Sequence, residues 1–260
     1  MQQVMERPSE PSERPQITDM PVAAIPEVLR LGMRDFLRAP AFGIFFSLVY
    51  VLGGIVLYLV FAANGREWWL VPFMLGFPLF APFAAIGLYE VSRRIEAGEP
   101  LLWRDVLGVV FAQKDRQMPS MSVVILLLFM FWIFIAHTSF ALFLGTKAFS
   151  GNTSPIDVLL SANGLAMLSF GTAVGAAFAA VLFAFTVVGL PLLLEREIDF
   201  ITAIITSVQA VLANPASMAI WAATIAGLLF LGMLPAFLGL FVVLPILGHA
   251  SWHMYRHLTA

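Results

Sequence analysis

The chain has 260 residues, of which 60% are hydrophobic and 12% charged, with a formal net charge of −2 and no cysteine. Soluble domains carry roughly a quarter charged residues. Here the apolar residues also gather in blocks of about twenty, the length that crosses ~30 Å of hydrocarbon at ~1.5 Å per residue. This excludes a soluble single-core fold, and the missing cysteine excludes disulfides, thiolate catalysis and Cys-ligated zinc or iron–sulfur sites.

Residues 1–20 are polar, with Pro8, Pro11 and Pro15 and no apolar period. Such a segment cannot bury enough surface to offset its ordering entropy, so a disordered tail is expected. The first apolar block starts near Ala41, behind this segment rather than at the start of the chain. That arrangement predicts a retained first span and not a cleaved leader.

From Ile25 the period becomes helical. Ile25, Val28, Leu29, Met33, Phe36 and Leu37 share one face, with Arg30, Arg34 and Arg38 on another, and Pro26 and Pro40 at the two ends. Two placements fit: a basic amphipathic helix in the headgroup interface, or a connector packed under the bundle. Span one follows at about 41–63. Asn64-Gly65-Arg66-Glu67 makes its turn, with Trp68 and Trp69 as interfacial aromatics. Span two, about 70–92, holds Pro72, Pro78 and Pro82. The missing N–H groups free carbonyls one turn apart and predict a kink.

A second unit opens at Glu99-Pro100, with Leu102, Trp103, Val106, Leu107 and Val110 as its stripe. Span three is expected over about 121–144 and span four over about 165–194. In the loop between them, Ser154-Pro155-Ile156-Asp157 signals a short helix. A third amphipathic helix, capped by Asp199, places Phe200, Ile201, Ile204, Ile205, Val208, Val211 and Leu212 on its apolar face. Thr202, Thr206 and Gln209 face the other way. Spans five and six follow at about 216–232 and 235–255. Pro40, Pro119 and Pro215 precede the first span of each pair, and Pro82, Pro191 and Pro245 fall late in the second, as an internal repeat would place them.

The fold expected is therefore all-α. It is a polytopic membrane domain over residues 21–260, with six transmembrane helices in three amphipathic-helix–hairpin units. Twelve of the fourteen Lys and Arg fall in the tail, the 2–3 and 4–5 loops and the C-terminus. The positive-inside rule then puts both ends in the cytoplasm.

Few residues suggest chemistry. His249, His253 and His257 recur at four-residue steps on one helical face, and His249 and His253 are the candidates for a metal or haem. The competing reading is a structural or interfacial role at the helix end. The remaining histidine, His137, lies towards the opposite end of its span, so a bis-histidine haem has no partner at matching depth. No cofactor is expected. Glu90, Glu195 and Glu197 flank the inner ends of spans two and four, where solvation and pairing with Arg93, Arg94 or Arg196 is the reading favoured. No unpaired charge falls at the centre of a span, which argues against an ion-coupled pump. Gly171 and Gly175, with Ala179, form a small-residue run suited to close helix packing or to a dimer face. There is no phosphate-binding loop, hydrolase elbow or zinc-protease motif.

The stretches Ala203-Ile204-Ile205-Thr206-Ser207 with Asn214-Pro215, and Leu244 to Arg256, resemble a proteobacterial family of integral membrane proteins of unknown function. That resemblance implies a six-helix inner-membrane protein and carries no catalytic residue. Chains of this kind are sometimes labelled cytochrome c oxidase subunit I, and the four histidines here, three on one helix, oppose that label. The expected role is a non-enzymatic accessory or scaffold component of the membrane. Its partners would be the lipid bilayer and another membrane complex or a second copy, not nucleic acid. The alternative is a carrier or channel for a small or lipidic solute. A polar cavity between spans two, four and six would favour the carrier, and a dry, close-packed centre the scaffold.

Overall fold

The computed structural model describes residues 13–64, 70–145, 155–235 and 237–259. The side chains at 49, 54, 57, 58, 60–64, 70–81, 155 and 156 fall outside that description, as do the expected turn at 65–69, Lys147 and Ser154. Eleven α-helices lie among the described residues, in the order α1 Ile25–Arg38, α2 Pro40–Asn64, α3 Leu70–Ala97, α4 Trp103–Ala112, α5 Met118–Leu144, α6 Pro155–Leu160, α7 Ala162–Thr186, α8 Gly189–Glu195, α9 Phe200–Ala213, α10 Pro215–Met233 and α11 Leu240–Leu258. No strand occurs among these residues. By length and apolarity α5, the α7–α8 pair and α10 can each cross a membrane. Counting α1 with the start of α2, which meet at 98°, makes four candidates.

Helices α3 and α11 form the centre. α2 packs against both, α5 against α3, and α7 against α5, while α10 lies on α11. The short helices cross-link these pairs: α1 lies along α11, and α9 along α7 and α8. Glycine and alanine set the first crossing. A side chain at Gly32 of α1 would begin 2.6 Å from the Ile246 carbonyl oxygen and 2.7 Å from the Ala250 nitrogen of α11. Backbones can meet so closely only where side chains are absent.

Several expectations are corrected. The α1 face turned inward is Ile25, Val28, Gly32, Asp35 and Phe36, whereas Met33 and Leu37 are exposed. The inward face of α9 is Ala203, Thr206, Ser207 and Ala210, and Ile201 and Leu212 stand 55% and 73% exposed. The bulky stripe is therefore divided: Phe200, Ile204 and Val211 pack against the core, while Ile201, Ile205 and Leu212 point away from it. Where the outer medium is hydrocarbon, apolar side chains gain nothing by leaving it, and small residues take the helix contact instead. Asp199 does cap α9, its side chain accepting from the Thr202 N–H at 2.9 Å.

The fourth apolar segment is broken rather than continuous: α7 ends at Thr186 and α8 begins at Gly189. Pro191 offers no N–H to the carbonyl four residues earlier, which loosens the ladder there. The Val188 N–H leaves it and donates to the Ser207 hydroxyl of α9 at 3.1 Å. By contrast α3 stays helical through Pro72, Pro78 and Pro82. The last helix starts at Leu240, five residues late. The preceding turn holds Phe237 at φ 66 and brings Gly239 onto Gly232, where a side chain would begin 2.7 Å from the Gly232 carbonyl oxygen.

Residues 13–20 are not loose. Thr18 donates its N–H to the Leu258 carbonyl at 3.0 Å, and the Met20 N–H donates to Asn214 Oδ1 at 2.7 Å. The Ser217 hydroxyl donates to the Met20 carbonyl at 2.6 Å. Both ends of the described chain thus lie on one face of the molecule. The same face carries Arg93, Arg94, Arg116, Arg196 and Arg256, and the charged site lies there.

Candidate functional site

At this charged end, α3, α4, α8 and α11 enclose a vestibule of about 550 Å³. Its polar lining is Glu90, Arg93 and Glu96 of α3, Arg116, Glu195 of α8, and Trp252 and Arg256 of α11. The apolar helices deliver these groups because each continues about a turn past its hydrophobic run, so the charges collect where the helices emerge.

Glu90 is the most buried of the vestibule's charged groups, 1% exposed. It accepts from Arg93 Nε at 2.8 Å and Arg93 Nη2 at 3.0 Å, and from Arg94 Nε at 2.6 Å. Burying a carboxylate is costly unless it is paired and its lone pairs are filled, and two guanidinium groups do both. Arg93 also bridges to Glu99 at 3.1 Å. Its pKa is raised, first by the Glu90 hydrogen bond, while that of Glu99 is lowered by the same guanidinium. The expected pairing with Arg93 and Arg94 is present, but Glu90 is buried rather than solvated.

Across the vestibule, Trp252 Nε1 donates to Glu96 at 2.9 Å. Arg256 bridges Glu96 at 3.2 Å and Glu195 at 2.9 Å, and the Tyr255 hydroxyl donates to Glu195. Arg116 reaches the carbonyls of Leu194 and Arg196 at 3.4 and 3.3 Å, closing the open end of α8. Glu197 is exposed, 3.7 Å from Arg116.

Behind this wall runs a second polar set, through the α1–α11 crossing. His253 Nε2 lies 2.7 Å from Asp35 Oδ2, and Arg34 donates to the other oxygen at 3.0 Å. One turn deeper, His249 Nδ1 lies 2.9 Å from the Ser92 hydroxyl of α3, and its Nε2 is buried without a partner. Burial alone would raise the Asp35 pKa, but the hydrogen bond and charge of His253, with Arg34 and Ser92, hold it below the ordinary carboxylate value. The histidine stripe is therefore split. His249 and His253 face the protein interior rather than headgroups, and His257 is exposed. No group of three or more His, Asp or Glu able to hold a metal occurs among the described residues.

The other named candidates stand elsewhere. His137 sits on α5, its Nδ1 3.0 Å from the Ile133 carbonyl of its own helix. Gly171 has no atom within 4 Å of a side chain's starting point, and Gly175 meets only Trp132 Nε1 at 3.4 Å. Among the described residues nothing fills the space at Gly171, and only Trp132 of α5 reaches Gly175. Apolar cavities of about 350 and 320 Å³ lie there instead, on either side of Trp132.

Residues 70–195, just under half of the chain, match a family model described as "Predicted integral membrane protein (DUF2189)". No curated protein and no solved structure matches the chain. Together with its apolar helices, the match makes the chain an integral membrane protein that crosses the bilayer more than once.

Proposed function

We propose that this protein is a non-enzymatic accessory or scaffold component of a bacterial inner membrane. In this reading α2, α3, α5, α7–α8, α10 and α11 are six spans in three units, with the charged end in the cytoplasm. The positive-inside asymmetry and the joining of Thr18 to Leu258 support that orientation. One observation carries the scaffold reading: the helices that line the vestibule carry a packed apolar core. Ile86, Leu88, Val91, Val188, Leu192 and Ala250, on or beside α3, α8 and α11, are all buried. Close approaches at Gly32, against Ile246 and Ala250, and at Gly248, against Leu88, pack α11 tightly on α1 and α3. The outer parts of α5, α7 and α10 are meanwhile broadly exposed, which leaves room for lipid and for a neighbouring membrane protein.

A specific observation favours the carrier as the second reading. The vestibule lies between the second, fourth and sixth apolar segments, and the fourth is a broken helix of the sort that carriers use at their binding sites. The native chain has no thiol, so single cysteines discriminate the two. Ala97→Cys at the vestibule rim should react with an impermeant maleimide in inside-out vesicles and not in intact cells. Ala84→Cys, about 20 Å further along α3 at ~1.5 Å per residue, should be protected from both sides. Labelling of Ala84→Cys would mean a solvent path through the centre and favour the carrier. Labelling of Ala97→Cys in intact cells would reverse the orientation.

A further inference from the structure

At the charged end, away from the vestibule, α1, α2 and α4 meet in an aromatic corner. The Trp103 ring, at the start of α4, stacks on Phe42 of α2 with centroids 3.9 Å apart and planes at 27°. Phe45 meets the same indole edge-on at 5.2 Å. Among the described residues the corner is left open. Trp103 is 41% exposed, Phe45 44% and Leu37, just before the bend into α2, 68%.

Two arginines flank it. Arg104 follows Trp103 directly, and Arg38 lies four residues before Phe42; both are exposed. Neither has a carboxylate partner among the described residues. The nearby acids are already engaged: Glu27 by Arg30 at 2.6 Å, Asp35 by His253 and Arg34, Glu99 by Arg93, and Asp105 by Arg94 at 3.8 Å. Arg38, just before the bend into α2, and Arg104, next to Trp103 in the chain, therefore put two uncompensated positive charges on the segments that carry the corner, where the first apolar helix begins. Tryptophan favours that depth because its ring is apolar and its N–H is polar.

We infer that this corner binds an anionic phospholipid, with Arg38 and Arg104 on its headgroup phosphate and the Trp103–Phe45 face against its glycerol and upper acyl region. Anionic lipid is favoured over zwitterionic lipid because the two guanidinium groups are uncompensated. A phosphate carrying its own ammonium group would bring a third positive charge to them.

Tryptophan fluorescence tests this with the full chain reconstituted in phosphatidylcholine vesicles containing a minor fraction of brominated lipid. The Trp103 contribution is taken as the difference from Trp103→Phe. Brominated phosphatidylglycerol should quench it more than an equal fraction of brominated phosphatidylcholine, and raised salt should shrink the excess. Each arginine removed, in Arg38→Gln or Arg104→Gln, should weaken the preference about fivefold, while the lysine variants should keep most of it. Equal quenching by the two lipids would overturn the site. So would an excess unchanged in the double glutamine variant, or one insensitive to salt.

Discussion

The His253 imidazole on α11 and the Asp35 carboxylate on α1 lie 2.7 Å apart in a contact closed to solvent, joining helices 218 positions apart in sequence. Their meeting is possible because Gly32, one turn before Asp35, lets the backbones touch. Asp35→Ala should be among the most destabilising single changes in the chain. Removing one partner of a buried hydrogen bond leaves the other unsatisfied, at roughly 1–3 kcal/mol. The check is thermal melting in detergent beside Arg30→Ala, whose exposed pair with Glu27 should hardly matter.

The same pair predicts an acid dependence. The fold holds the Asp35 pKa below its ordinary value, chiefly because His253 overcomes the effect of burial, so folding favours the ionised carboxylate. Its contribution is then complete above the unfolded pKa, ~3.9 for aspartate, and is lost as pH falls through the lower folded value. Wild type should lose melting temperature over that acid interval, and Asp35→Asn should lose less. Parallel curves would show that Asp35 contributes no linked stability.

Glu90 supports a third expectation. Glu90→Gln keeps the shape but removes the charge that Arg93 and Arg94 surround, and Arg94 is itself largely buried. We expect a loss of a few kcal/mol on the scale of broken buried pairs. Glu197→Gln, whose carboxylate is exposed, should melt within ~0.5 kcal/mol of wild type, as surface substitutions usually do. Equal effects would mean that Glu90 is paired but not needed.

Much of the fold was legible because apolar run length and proline punctuation are local signals. The helices at Pro40, Met118, Pro155 and Pro215 start within a few residues of where those signals put them. The inward faces of the short helices were legible in part. Val106 and Val110 of α4, and Ile25, Val28 and Phe36 of α1, lie on the expected stripes and are buried, whereas Met33 and Leu37 of α1 and Ile201 and Leu212 of α9 are exposed. Apolar periodicity marks the core side only when water lies on the other side. In α9 Ile201, Ile205 and Leu212 lie on the exposed side, and Ala203, Ser207 and Ala210 mark the contact. The site was half visible. The histidine spacing on α11 pointed to a shared face, but its partners Asp35 and Ser92 come from α1 and α3. A carboxylate spaced three and seven residues after Gly32 and Val28, on a face of small and buried residues, was the available signal for Asp35. Nothing local signalled that Asn214 and Ser217 would hold Met20.

The divided stripe of α9 gives the fourth expectation. Ala210→Leu would push a large side chain into a fully buried position, where overpacking costs ~1–3 kcal/mol. Leu212→Ala removes apolar surface that already faces outward and should leave detergent stability nearly unchanged. The opposite ranking would restore the periodicity-based assignment.

The last expectation contrasts two glycines. Adding one methyl group at Gly32 brings it within 2.6–2.8 Å of Ile246 O, Ala250 N and Ala250 Cβ. Two of these are backbone atoms of a packed helix and cannot rotate aside, so α1 must lift from α11. That separation would also stretch the Asp35–His253 contact, coupling a packing fault to an electrostatic one. Gly171 is the opposite case, with open space where its side chain would begin. There Gly→Ala should help slightly, because alanine is ~0.8–1.0 kcal/mol better than glycine inside a helix. Gly32→Ala should therefore lower the melting temperature, while Gly171→Ala leaves it equal or higher. If Gly171→Ala instead destabilises, and light-scattering chromatography shows a dimer falling to monomer, the space at Gly171 is filled by a second copy. If Gly32→Ala melts like wild type, the α1–α11 crossing is looser than its backbone contacts imply, and the stability assigned to Asp35 falls with it.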